Sequence, residues 1–171
     1  MNIAIRLLAS DDAEAFYRLR LQGLEMHPDA FGEAADEWRA RSLDDVRTML
    51  ERLSETDGNL ILGAFDGDRL VGVAALRRHF GVTFRHKGAV WGMFVAPTHQ
   101  RRGVAGALLD GLIDQARKVD GMRRLTLCYV EGNTAAEQLY TSRGFSQYGR
   151  EPEALMIGTR ALTEIFMTLA L

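Results

Sequence analysis

The segment Gln100–Gly106 has the residue types of an anion-binding loop. It follows an apolar run and places two arginines, Arg101 and Arg102, directly before the start of a helical pattern. The missing side chains at Gly103 and Gly106 would let a phosphate reach main-chain N–H groups at the helix start, and the arginines would add charge-assisted hydrogen bonds. The ordinary alternative is that Gly103 shapes a turn and the arginines are solvated. The pattern predicts a phosphate site, best suited to a pyrophosphate.

A second candidate segment spans residues 129–145. Asn133 and Tyr140 are seven residues apart, so both lie near one face of a short predicted helix and could line one groove. Each also has an ordinary explanation, Asn133 as a helix N-cap and Tyr140 as a core side chain. Thr134 could form a capping box with Glu137, which would leave the Asn133 amide free for another partner.

Other chemistries fit the sequence poorly. A dinucleotide fingerprint needs Gly-x-Gly-x-x-Gly after an early strand, whereas this loop lies past mid-chain and has Arg101 at the first glycine position. His27 and His99 lack metal-ligand spacing, so no metal site is predicted. The single cysteine, Cys128, alternates within an apolar strand and is expected to be a small buried side chain.

The elements that position these segments follow from hydrophobic periodicity and turn signals. Strands are predicted at residues 3–7, 60–65, 70–76, 89–96, 125–130 and 162–171. Helices are predicted to begin at Ser10–Asp12, with a capping box of Asp11 and Glu14, and after Ser42, with Asp45 as the box partner. A further helix is predicted to begin at Gly103, and a short one to be closed by Gly144. Asp66-Gly67 between two apolar runs predicts an antiparallel hairpin. We therefore expect an α/β fold with a mixed, mostly antiparallel sheet of six or seven strands and helices on both faces.

Length and charge limit the classes of function. The 171 residues carry 21 Lys and Arg against 23 Asp and Glu, a net charge of −2, and 47% of them are hydrophobic. This composition predicts one domain over residues 1–171 and gives no support for a nucleic-acid partner. Apolar runs shorter than the roughly 20 residues of a membrane span predict no membrane partner. The first six residues lack the pattern of an export signal, so a cytoplasmic location is expected.

Together the two segments resemble the GNAT superfamily of acyl-CoA N-acyltransferases. One motif is Gln100-Arg101-Arg102-Gly103-Val104-Ala105 after the strand at 90–95. The next is residues 133–145 with Leu139-Tyr140 and Gly144-Phe145. The motifs stand in the family's order and cover roughly residues 89–145. The resemblance implies the GNAT fold, in which the two central strands splay apart.

The resemblance also implies acetyl-CoA as cosubstrate, held in the cleft between the splayed strands, with no metal. An amine would attack the acetyl thioester directly, a strand N–H near Val95 would stabilise the oxyanion, and Tyr140 would donate to the departing thiolate. With an ordinary pKa of about 10, Tyr140 stays protonated at neutral pH. The residues implied to bind acetyl-CoA are Phe94, Val95, Gln100, Arg101, Arg102, Gly103, Val104, Ala105, Gly106 and Asn133.

The sequence departs from many relatives at Gly92, where they often place a glutamate on the strand before the phosphate loop. The general base therefore has no assignment. Carboxylates in the two segments that rim the acceptor pocket could act through water, although a solvated surface position is the ordinary description of each. They are Glu33, Asp36, Glu37, Glu151 and Glu153.

Charge near the expected pocket suggests the acceptor. Residues 25–37 carry five carboxylates and no Lys or Arg, which predicts a preference for a cationic primary amine, on a small molecule or a protein. A homodimer is left open. The alternative function is an acyl-CoA-binding sensory or regulatory domain without turnover, which Gly92 favours and Tyr140 opposes.

Overall fold

The computed structural model describes residues 3–171, with the main chain alone at Ser54, and forms one seven-stranded sheet in the order β1-β2-β3-β4-β5-β7-β6. Met1 and Asn2, which belong to the segment on which the absence of an export signal was predicted, lie outside the described residues. The strands are β1 (Ile3–Leu7), β2 (Leu60–Asp66), β3 (Arg69–Arg78), β4 (Lys87–Val95), β5 (Arg124–Val130), β6 (Ser146–Ile157) and β7 (Arg160–Ala170). Neighbouring strands are antiparallel except for the central pair β4 and β5, which is parallel. The predicted mixed sheet is confirmed.

Five α-helices connect the strands: α1 (Ala13–Met26), α2 (Ala35–Arg39), α3 (Leu43–Ser54), α4 (Val104–Lys118) and α5 (Thr134–Ser142). The capping box predicted at Ser42 is confirmed, because Asp45 N donates to Ser42 Oγ at 3.1 Å and Ser42 N donates to Asp45 Oδ2 at 3.0 Å. At α1 the predicted box is wrong. Residues 10–12 form a short 3₁₀ turn in which Asp12 accepts from Ala9 N at 2.9 Å.

Two elements were not placed by the sequence. Strand β6 lies at the edge of the sheet and its residues are mostly exposed, so it lacks the apolar alternation that marks a half-buried strand. Helix α2 has five residues and buries only Trp38, too short a stretch for a helical period to register. Glu151 and Glu153 therefore lie within a strand.

The helices cover both faces of the sheet, as expected. One core lies under α4 and α5 and includes Leu108, Leu109, Leu112, Leu125 and Tyr140. The other lies under α1 and α3 and includes Phe16, Leu24, Trp38, Val73 and Phe94. Within residues 3–171 no helix is long and apolar enough to cross a bilayer.

Candidate active site

The central strands separate shortly after they meet. Strands β4 and β5 pair at Lys87–Ala89 with Arg124–Thr126. Beyond these residues the two strands are no longer hydrogen-bonded to each other, although β4 continues to Val95 and β5 to Val130. This confirms the predicted splay. A β-bulge accompanies it, because β3 advances two residues from Val73 to Ala75 while β4 advances three, from Trp91 to Phe94. Gly92 lies within the bulge and has φ +64, a conformation that favours glycine.

The open edge of β4 presents main-chain groups at Val95. Ala96 N donates to Val71 O of β3 at 2.8 Å, so by alternation the N–H and C=O of Val95 face the opposite edge, toward the splay. Gln100 Nε2 donates to Val95 O at 2.9 Å and occupies that carbonyl. The main-chain groups of Phe94 face β3, and its side chain is buried against α1. Val95 is thus the better placed of the two residues predicted to pair with pantetheine.

The phosphate loop leads from β4 into α4 through unusual backbone. Arg101 has φ +59 and Gly103 has φ +80, and a non-glycine residue in this region is costly enough to mark a functional site. Gly103 is the N-cap of α4 and has no side chain with which to cap the helix. The main-chain N–H groups of Val104, Ala105 and Gly106 at the helix start are therefore available to a ligand.

The two glycines of this loop differ in their surroundings. A Cβ at Gly103 would meet nothing within 4 Å, which leaves the helix start open to a phosphate. At Gly106 a Cβ would lie 2.3 Å from Arg143 Nη2, whose guanidinium also pairs with Asp110 at 3.1 Å. Arg143 therefore fills the space beside Cα of Gly106, and the expectation that a phosphate approaches the main-chain N–H there stays a prediction. Arg143, which follows α5 directly, was missed by the sequence.

Asn133 caps α5. Its Oδ1 accepts from Ala136 N at 3.1 Å, so the prediction that Thr134 would cap the helix and leave the Asn133 amide free is wrong. Asn133 is exposed at the mouth of the splay, where β5 ends and α5 begins. A role toward pantetheine stays a prediction, and it now competes with the cap.

Tyr140 lies in the core between β5 and α5. Its ring centroid is 6.1 Å from that of Tyr129 and 6.0 Å from that of Phe145, and the residue is 8% exposed. Burial, with a smaller contribution from Cys128, raises the pKa of Tyr140 to about 12. The hydroxyl is therefore a fixed donor at physiological pH, and no described residue shares a hydrogen bond with it.

Cys128 is exposed, contrary to the expectation of a buried side chain. Its neighbours Leu127 and Tyr129 point into the core under α4 and α5, so Cys128 points to the opposite face of β5, where its Sγ donates to Glu164 Oε1 at 3.4 Å. Partial burial and the Glu164 carboxylate raise the pKa of Cys128 to about 12. The thiolate needed for nucleophilic attack is thus strongly disfavoured near neutral pH.

The carboxylates expected to rim the acceptor pocket are already engaged. Glu25 and Asp36 both pair with Arg39, and Glu37 Oε2 caps α2 by accepting from Ala34 N at 3.0 Å. Asp29 pairs with Arg160 at 3.1 Å, and Glu33 pairs with Arg20 and Arg41 at 3.3 and 2.9 Å. Four of the five carboxylates of residues 25–37 thus pair with arginines, which offsets most of the negative charge there. The cationic acceptor stays a prediction, and the general base has no assignment.

The sequence also missed Arg20, a buried cation beside the bulge. It lies four residues after Phe16 and four before Leu24, within the buried stripe of α1, and it is only 5% exposed. A lone arginine at a core-facing helix position was the available signal. Burial lowers the pKa of Arg20, and Glu33 opposes that shift.

The mixed sheet with splayed central parallel strands and the helix start at the end of the splay form the arrangement that the resemblance to the GNAT superfamily implied. A family model described as the acetyltransferase (GNAT) family matches residues 11–145, and the chain belongs to that family.

Comparisons with individual proteins agree. A mycothiol acetyltransferase from Actinosynnema mirum is 31% identical over 139 residues, which are 80% of this chain and 42% of that protein, so the chain spans well under half of that relative's length. A GNAT-family acetyltransferase from Streptococcus pneumoniae superposes with a TM-score of 0.90 at 21% identity, covering 99% and 100% of the two chains. The yncA acetyltransferase of Salmonella typhimurium, solved with acetyl-CoA, gives 0.85 at 24% identity, covering 98% and 93%. The two structural matches establish the shared fold.

Proposed function

We propose that the chain is an acetyl-CoA-dependent N-acetyltransferase that moves the acetyl group directly to a primary amine. The observation that carries this proposal is the splay of β4 from β5, with the uncapped start of α4 at its end. A cleft lined by unpaired strand groups suits the amides of pantetheine, and a helix start suits the pyrophosphate. The open space beside Gly103 also leaves room for the pyrophosphate.

This chain's own groups supply two parts of the reaction. The N–H of Val95 lies on the open edge of β4, where it can stabilise negative charge on the thioester carbonyl oxygen. Tyr140 stays protonated and can donate to the departing sulfur. The attacking amine, with an ordinary pKa of about 10.4 if it resembles lysine, must lose a proton to water or to a base before it attacks.

Direct transfer is favoured over a route through an acyl-cysteine. Cys128 is the single cysteine, and its raised pKa leaves it a thiol, a poor nucleophile. The neutral amine nitrogen therefore forms the new bond to the acetyl carbon as the carbon–sulfur bond breaks, and its second proton ends on the released thiolate, through Tyr140 or water. The electron pair leaves with the sulfur of coenzyme A, and the proton lost by the amine passes to solvent.

The second candidate function is an acyl-CoA-binding domain without turnover, favoured by the glycine at position 92 where many relatives have a glutamate. Amine-dependent release of thiol from acetyl-CoA, measured over a panel of amines, separates the two. The proposal expects release that depends on both acetyl-CoA and an amine, with an acetylated product seen by mass spectrometry. Tight binding of acetyl-CoA with no release for any amine would support the binding domain instead.

A further inference from the structure

Arg20 carries hydrogen-bond donors that the protein does not use. Among side chains of residues 3–171, three buried nitrogens lack any partner: Arg20 Nε, Arg20 Nη1 and Trp91 Nε1. Trp91 lies on β4 directly before the bulge, and its ring centroid is 6.0 Å from Arg20 Cζ. Buried donors are nearly always satisfied in folded proteins, so a cluster of unsatisfied ones calls for a ligand.

The ion pairing of Arg20 is also limited. Arg20 Nη2 reaches Glu33 Oε2 at 3.3 Å, and Arg41 Nη2 reaches the other oxygen of the same carboxylate at 2.9 Å. Arg20 and Arg41 thus share one carboxylate, and the buried Arg20 has no other ion pair among the described residues. Phe31, with its ring centroid 4.7 Å from Arg20 Cζ, covers part of the guanidinium and keeps water away from it.

The unused face of Arg20 lies beside the splay. A Cβ at Gly92 would meet a single atom within 4 Å, Arg20 Nη1 at 3.6 Å. The glycine therefore leaves room for a carbon-sized atom beside the unpartnered nitrogen, which is itself closed to solvent in this conformation. An atom of a ligand placed over Gly92 would contact both the strand and Arg20.

We infer that Arg20 is a substrate-binding residue that receives an anionic group, and that the acceptor is a small amine carrying a carboxylate. This inference rests on the acetyltransferase activity proposed above. A carboxylate oxygen over Gly92 would accept from the free donors of Arg20 and pair with a buried guanidinium whose one carboxylate partner is shared. It replaces the cationic acceptor that the sequence suggested, and it explains the position of a buried arginine on the apolar face of α1.

The test compares matched acceptors on the wild-type protein. Free amino acids with the amine at the α or ω position are each compared with the amide of the same amino acid, which keeps the amine and removes the carboxylate. The inference expects kcat/KM to be about 100-fold higher for the carboxylate member of a pair, because a site built to bind an ionic group rejects the analogue that lacks it. Equal values for acid and amide in an active protein would overturn it.

Two variants locate the effect. Arg20→Gln is expected to bring the carboxylate acceptors down to the level of their amides while the amides change little. Arg41→Gln is the matched control, since Arg41 pairs with the same Glu33 carboxylate but has a side chain 46% exposed. It should keep the preference within about threefold. A preference that survives in Arg20→Gln contradicts the inference.

Acetyl-CoA binding, measured by calorimetry on each variant, separates this inference from the proposed function. If the wild-type protein neither binds acetyl-CoA nor releases thiol, both the proposed acetyltransferase function and this inference are refuted. If the protein binds acetyl-CoA without turnover, the measurement becomes the increase in melting temperature that each acid or amide adds to the complex with coenzyme A. A larger increase for the acids supports a carboxylate site at Arg20, and equal increases refute it. If Arg20→Gln does not fold, the wild-type comparison alone decides.

Discussion

Tyr140 is the side chain on which the proposed departure of the thiolate depends. Its ring packs between Tyr129 and Phe145, so part of its role is structural, and its hydroxyl has no partner among the described residues. Tyr140→Phe keeps the ring and the packing and removes only the donor. Turnover is expected to fall about 100-fold with little change in the affinity for acetyl-CoA. Steady-state kinetics with calorimetry checks this, and equal turnover in the two proteins would leave Tyr140 a packing residue.

The raised pKa of Tyr140 also predicts how stability depends on pH. Because burial holds the folded-state pKa near 12, above the roughly 10 of an exposed tyrosine, its contribution is fully present below pH 10 and is lost as pH rises toward 12. The free energy of unfolding of wild type should therefore fall relative to that of Tyr140→Phe over this window. Urea titrations at pH 8, 10 and 11 measure it. If the free energy of unfolding changes with pH in the same way for both proteins, burial does not raise the pKa of Tyr140.

Helix α1 holds the bulged strand in place through one close approach. Gly23 lies where a Cβ would be 2.9 Å from Cγ of Phe94 on β4, and both residues are buried. The glycine lets the helix pack directly on the Phe94 ring. Arg20, one turn earlier on the same helix, is thereby brought next to Gly92.

Gly23→Ala is expected to destabilise the protein by about 1 kcal/mol, although alanine is the better helix former. The clash with the Phe94 ring costs roughly 1–3 kcal/mol and outweighs the helix-propensity gain of about 1 kcal/mol. Chemical denaturation measures the difference. Phe94→Leu in the same chain should recover part of the loss, since the smaller side chain can move aside. A stabilised Gly23→Ala variant would mean that α1 and β4 are not in close contact.

Elements with a strong period or turn signal were predictable from the sequence, and edge or short elements were not. The stripe of α3, the turn at Asp66-Gly67 and the helix start at Gly103 were all placed correctly. Strand β6 escaped because an exposed edge strand lacks apolar alternation.

Within the site, the loop at Gly103 could be predicted because its function resides in local backbone. The covering of Gly106 by Arg143 and the pairing of Arg20 with Glu33 join residues 37 and 13 positions apart, so no local pattern records them. The ion pairs of residues 25–37 could not be predicted for the same reason, since their basic partners include Arg160, far along the chain.

At the scale of the whole molecule, the proposed function places its two substrates on two faces of one sheet. The face under α4 and α5 contains Tyr140 and adjoins the loop at Gly103, and the face under α1 and α3 contains Phe16 and Leu24 of the helix that carries Arg20. The central strands β4 and β5 separate between these faces. An acyl donor on one side and an amine on the other could therefore meet at the bulge of β4.

The central claim is that the start of α4 holds the pyrophosphate of acetyl-CoA, and calorimetric titration with acetyl-CoA tests it most directly. Wild type should bind one equivalent. Gly103→Glu places a carboxylate at the phosphate position and should weaken binding at least about 100-fold by charge repulsion. Gly67→Glu is the matched control, because Gly67 also has a positive φ, +58, and nothing within 4 Å of its Cβ position, but lies in the β2–β3 turn. Wild-type affinity in Gly67→Glu with loss in Gly103→Glu is the expected result, and equal affinity in all three proteins would contradict the account.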